Sequence, residues 1–120
     1  MASLQQLTSL EQWEQALQGT SGSGKPLLVF KHSTTCPISA GAHEELTKYV
    51  EDAHGGPVDF ALVRVIEERP VSNEIAERLG VKHASPQAIL VKDGQAVWNT
   101  SHWHITYAAL SEQLGEPKQG

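Results

Sequence analysis

The residues able to do chemistry in this chain converge on one sulfur. Cys36 is the only cysteine among 120 residues, so no disulfide can close within the chain, and sulfur chemistry here must engage a thiol or disulfide from another molecule. It sits in Thr35-Cys36-Pro37-Ile38-Ser39, shortly after the apolar run Leu27-Leu28-Val29-Phe30. Proline is favoured at the first position of a helix, so the order strand, cysteine, proline places Cys36 at a helix N-terminus. Unpaired N–H groups and the helix dipole favour negative charge there, and the expected species is a thiolate nucleophile for disulfide exchange. Ser39 stands where a Cys-x-x-Cys pair would carry its second thiol, and its hydroxyl is able to donate a hydrogen bond to the thiolate. A buried structural cysteine is the plainer role, but such a role does not call for a strand-to-helix junction in front of proline.

Other candidate clusters carry less. Gly19-Thr20-Ser21-Gly22-Ser23-Gly24-Lys25 has the spacing of a phosphate-binding loop, but Pro26 stands where Ser or Thr would hold magnesium, and the flanking elements come in the wrong order. His102-Trp103-His104 offers two histidines without the further ligands a metal site needs, so no metal is expected and the segment reads as a loop that packs Trp103. Glu44-Glu45 and Glu67-Glu68 are adjacent only in sequence and read as solvated surface. Trp13 and Trp98 read as core.

The elements that must position Cys36 follow from periodicity. Ser9-Leu10-Glu11-Gln12 has capping-box form, and Leu10, Trp13, Ala16 and Leu17 recur at helical spacing. A flexible Gly/Ser loop over about residues 18–26 leads to the strand Leu27–Phe30. Beyond Pro37, Ile38, Ala42, Leu46, Tyr49, Val50 and Ala53 form one helical stripe that stops before Gly55-Gly56-Pro57. Val58 to Ile66 reads as a strand, and Ser72 as the cap of a helix bearing Ile75, Ala76 and Leu79 and stopped by Gly80. Gln87–Lys92 and Gln95–Asn99 flank Asp93-Gly94, a hairpin turn. A last helix begins near Thr106 and carries Tyr107, Leu110 and Leu114. The expected fold class is α/β, a mixed four-stranded sheet with helices on both faces.

Composition bounds the rest. With 39% hydrophobic and 19% charged residues, the chain is expected to form one domain over residues 1–120, with its core at about 7–114. The net charge of −5 and the absence of any Lys/Arg run argue against a nucleic-acid partner. Neither a basic leader with an apolar segment nor a stretch of roughly 20 apolar residues is present, so no membrane association and a cytoplasmic location are expected.

Strand, Cys36-Pro37-Ile38-Ser39, helix, strand, helix, then Gly80-Val81 and Ser85-Pro86 before a hairpin with Lys92-Asp93-Gly94 resembles thioredoxin. That resemblance implies that Pro86 is a cis-proline facing the active cysteine and that the Ser85-Pro86 backbone pairs with the incoming substrate. Thr35-Cys36-Pro37-Ile38-Ser39 is similar to the signature of the monothiol bacilliredoxins. This second resemblance implies an oxidoreductase that removes bacillithiol from mixed disulfides on client proteins, with bacillithiol as co-substrate and no tightly bound cofactor. An external thiol would release Cys36, and a separate reductase would reduce the bacillithiol disulfide. Because bacillithiol carries carboxylates, Lys31, His32, Lys82 and His83 are expected to form a basic rim around Cys36. A glutaredoxin-like iron–sulfur cluster carrier and a non-catalytic thioredoxin-fold adaptor are the alternatives.

Overall fold

The computed structural model describes residues 4–21, 25–53 and 58–114. The chain start Met1-Ala2-Ser3, the centre of the Gly/Ser loop (Gly22-Ser23-Gly24) and the stop His54-Gly55-Gly56-Pro57 lie outside the described residues.

The elements run β1 (Leu4–Gln6), α1 (Leu10–Gln18), β2 (Leu27–His32), α2 (Pro37–Ala53), β3 (Asp59–Arg64), α3 (Arg69–Leu79), β4 (Gln87–Lys92), β5 (Gln95–Ser101) and α4 (Tyr107–Leu114), with a 3₁₀ turn at His102–His104. The sheet order is β1-β3-β2-β4-β5. β2 pairs parallel with β3 and antiparallel with β4, and β4 and β5 form the hairpin. Among the described residues the sheet therefore has five strands where four were expected. The added strand, β1, pairs parallel with β3 at the edge. Its three residues, two of them exposed glutamines, are too short and too polar to show strand alternation.

β2 is central and buried on both faces, so its side chains divide two cores by alternation. Leu28 and Phe30 face α2 and α4 and join Leu46, Tyr49, Phe60 and Leu110. Leu27 and Val29 face α1 and α3 and join Trp13, Leu17, Val71 and Ile75. The stripe read on α2 is observed at Ala42, Leu46, Tyr49 and Val50, all buried.

Local chemistry sets the ends. Ser9 Oγ accepts the Gln12 N–H, while Gln12 Oε1 accepts from the Thr8 backbone and hydroxyl, so the expected capping box closes one residue early. Within the segment read as a flexible loop, Thr20 is buried, and its carbonyl and hydroxyl accept the Asp93 and Gly94 N–H groups of the hairpin turn. Thr106 caps α4, its hydroxyl accepting the Ala109 N–H.

Several boundaries shift. β3 ends at Arg64 rather than Ile66, and β5 runs on to Ser101. α3 begins at Arg69, with Pro70 in its first turn, so Ser72 is a buried residue inside the helix and not its cap. Proline's fixed φ pre-organises a helix start without a capping side chain. The carboxylate of Glu68 is instead turned back on Arg64, gripping its guanidinium at 2.6 and 3.1 Å and its backbone N–H at 3.0 Å.

Candidate functional site

Cys36 lies just past the C-terminal end of β2, where side chains of the strand can no longer be covered by the sheet. The Cys36 N–H donates to the Ser33 carbonyl at 3.3 Å, closing a turn, and the Cys36 carbonyl accepts the Ala40 N–H at 3.0 Å. Cys36 thus caps α2, with Pro37 as its first residue, as the sequence indicated. The thiol is half-buried, while Thr35 and Pro37 are exposed and Ile38 is half-buried.

Ser39, in the first turn of α2, is fully buried. Its Oγ accepts the Ser33 N–H at 2.9 Å and lies 2.7 Å from His32 Nδ1. The serine therefore ties the Cys36 loop to both the strand before it and the helix after it. His32 stacks on His43 of α2, with ring centroids 4.8 Å apart, and on Phe30. Burial first, then the charge of His43, holds the His32 pKa below the usual histidine value, with Glu67 opposing. A neutral His32 whose Nδ1 accepts takes the single proton of Ser39. That proton is free for another acceptor only when Nδ1 itself carries a hydrogen. The Cys36 loop is further held by Thr34, whose hydroxyl donates to Glu67 at 3.3 Å.

The Ser85–Pro86 peptide is cis, and Pro86 is buried. Register locates it. Lys31 of β2 pairs with Gln87 of β4, so Pro86 stands level with His32, at the end of β2 from which the Cys36 loop departs. The Pro86 carbonyl accepts the His102 N–H at 3.0 Å. Ser85 Oγ is buried without a hydrogen-bond partner among the described residues. Gln87 Nε2 donates to the Lys82 carbonyl at 2.9 Å, fixing the approach to the proline.

The basic rim is corrected in one member. Lys82 and His83 are exposed, but Lys31 has no solvent-accessible surface. As a strand residue it alternates onto the α1/α3 face, where its Nζ lies 3.2 Å from His83 Nδ1. A lysine after an apolar strand reads as a loop charge only if the strand ends at Phe30, whereas β2 continues through His32. Burial lowers its pKa from 10.5 to about 8. Trp103 is a second correction, since it is 74% exposed rather than packed. Trp98 is only partly buried against the α2/α4 core.

His43 and Ser72 were not singled out as site residues. His43 carries no motif of its own, and its nearness to His32 arises from α2 folding back across the end of β2. Ser72 Oγ lies 3.4 Å from His83 Nδ1, a contact invisible while it reads as a cap.

Among solved structures, the chain is similar to a thioredoxin-fold protein described as a candidate oxidoreductase, at 36% identity and TM-score 0.79 over 91% of each chain. It is also similar to the Malassezia sympodialis thioredoxin (20% identity, TM-score 0.76, 98% of this chain and 92% of that one). The Fasciola hepatica thioredoxin matches at 18% identity and TM-score 0.74, over 96% of this chain and all of that one (100%). These two likenesses show the fold. A family model described as monothiol bacilliredoxin BrxC matches residues 5–110. With a thioredoxin fold, a thiol at the start of α2 and that match over most of its length, the chain belongs to the monothiol bacilliredoxin family, whose chemistry is thiol redox exchange.

Proposed function

We propose that this protein removes bacillithiol from mixed disulfides on client proteins. The Cys36 thiolate attacks the bacillithiol sulfur, the bond to the client breaks, and the client leaves as a thiolate. Cys36 is then held in a disulfide with bacillithiol. A second bacillithiol thiolate attacks that bond, freeing Cys36 and yielding bacillithiol disulfide, which a separate reductase reduces. Each step exchanges one S–S bond for another, and no electrons accumulate on the protein.

The carrying observation is the solitary, half-exposed Cys36 capping α2, with Ser39 in the place of a resolving thiol. A chain so built cannot release itself and needs an outside thiol. Thr35, Pro37 and Ile38 shape the loop and first turn around the sulfur, and the Ser85-Pro86 backbone offers a surface for the substrate beside it.

Intact-protein mass spectrometry tests this directly. Reduced protein is mixed with a bacillithiolated client, and wild type is compared with Cys36→Ser. One bacillithiol mass should move to the wild type alone, with release of the client thiol. Failure of transfer to a correctly folded wild type would sink the proposal.

A further inference from the structure

The end of β2 carries a second polar cluster, on the face away from Ser39. Lys31 Nζ lies 3.2 Å from His83 Nδ1, and Ser72 Oγ approaches the same nitrogen at 3.4 Å. An ammonium has donors and no acceptor. Nδ1 must therefore accept, and the neutral ring carries its proton on Nε2. The buried amine sets the tautomer of a side chain that is itself exposed.

Burial first, then the positive charges of Lys31 and Arg69, holds the His83 pKa below the usual value. Lys31, at about 8, is mostly protonated at neutral pH. The resulting unit is a cation behind a neutral imidazole, with the Nε2–H polarised outward. Both charges acting on His83 are positive, in a chain whose net charge is −5. Glu67 acts on His32 and Arg64, and Glu68 is held by Arg64. Lys31 pairs across the sheet with Gln87, the residue after Pro86, so the unit stands at the end of β2 that holds the cis-proline and from which the Cys36 loop departs.

We propose that Lys31 and His83 form an anion subsite that seats a carboxylate of the small thiol in the mixed disulfide, with His83 Nε2–H making the contact and Lys31 as the positioning residue behind it. This rests on the exchange reading of Cys36 and names the two residues through which that reaction would take an acidic low-molecular-weight thiol in preference to a neutral one. The exchange step is unchanged: the bond from Cys36 to the small thiol forms, the bond to the client breaks, and the client thiolate leaves.

The test uses one single-cysteine client peptide made into two mixed disulfides, with mercaptosuccinate and with mercaptoethanol. Capture rates on Cys36 are followed by mass spectrometry. Wild type should prefer the mercaptosuccinate disulfide about tenfold, the scale of one charge-assisted hydrogen bond, and lose the preference with added salt. Lys31→Met and His83→Phe should each bring the ratio close to one. A wild-type ratio of one, or a preference retained in both variants, overturns the subsite. A preference that follows acidic residues placed beside the client cysteine overturns it too, by assigning the carboxylate to the client. If neither disulfide reacts, the exchange reading itself fails and the subsite falls with it.

Histidine-ring NMR supplies a readout independent of turnover. Succinate added to reduced wild type should shift the His83 ring signals, and Lys31→Met should abolish that response and raise the pH at which His83 titrates. An unmoved His83 titration in the folded variant overturns the coupling.

Discussion

Lys31 and His32 are neighbours in sequence, yet strand alternation sends them to opposite faces of the sheet, and the two faces treat a base differently. His32 enters the α2/α4 side, stacks between Phe30 and His43, and meets the hydroxyl of Ser39. Lys31 enters the α1/α3 side, where among the described residues its ammonium hydrogen-bonds the imidazole of His83. On the first face the base organises the loop that carries Cys36. On the second, it orients an exposed side chain beside the cis-proline segment. Adjacent residues therefore take unlike surroundings, because a strand, unlike a helix, separates their neighbours completely.

The largest effect that separates the faces is the pH dependence of stability from Lys31. Its folded pKa, about 8, is below its ordinary 10.5, so the unfolded chain binds more protons between those values. Stability must then rise as pH increases through that window, by on the order of 3 kcal/mol. Denaturant unfolding at pH 7.5 and 10.5 should show wild type gaining on Lys31→Met by that order. Parallel curves would mean that Lys31 is not held as a buried cation.

Next in size is Ser39→Ala. It removes the acceptor of the Ser33 N–H and the partner of His32 Nδ1, and should cost about 2 kcal/mol, the usual penalty for stranding buried polar groups. Exchange by Cys36 should slow as its loop loosens. Equal stability in urea melts would remove Ser39 from its structural role and weaken the contrast between the faces.

The smallest expected effect belongs to His32. Because its folded pKa is depressed, stability is present above pH 6.5 and is lost as the pH falls from there toward the folded value. His32→Gln should flatten that acid-side decline. The remaining slope then belongs largely to His83, whose pKa is also lowered, and the double variant should be flatter still. An unchanged slope in His32→Gln would show that the imidazole stays solvated.

Much of the site was legible beforehand because it is local. Cys36 before Pro37, after an apolar strand, dictates a capped helix start whatever surrounds it. Pro86 and Asp93-Gly94 are likewise constrained by their own backbone chemistry. Among the described residues, no helix is long and apolar enough to cross a membrane. Ser72 misled because serine caps helices by local preference, whereas α3 had already started at Arg69, with Pro70 two residues before Ser72. Trp103 misled because large aromatics are usually covered, and this one stands out in a 3₁₀ turn.

By itself, the sequence determined that the chain carries a single thiol, that it caps a helix, and that strands and helices alternate around it, since these depend on residue count and on contacts within a few positions. Tertiary structure alone decided that Lys31 is buried, that its ammonium meets His83 across 52 residues, and that His32 lies between Ser39 and His43. Burial and long-range pairing arise from how the central strand is flanked by β3 and β4 and covered on both faces. No periodicity in a six-residue strand records which of its last two residues will face which layer, or what will be waiting there.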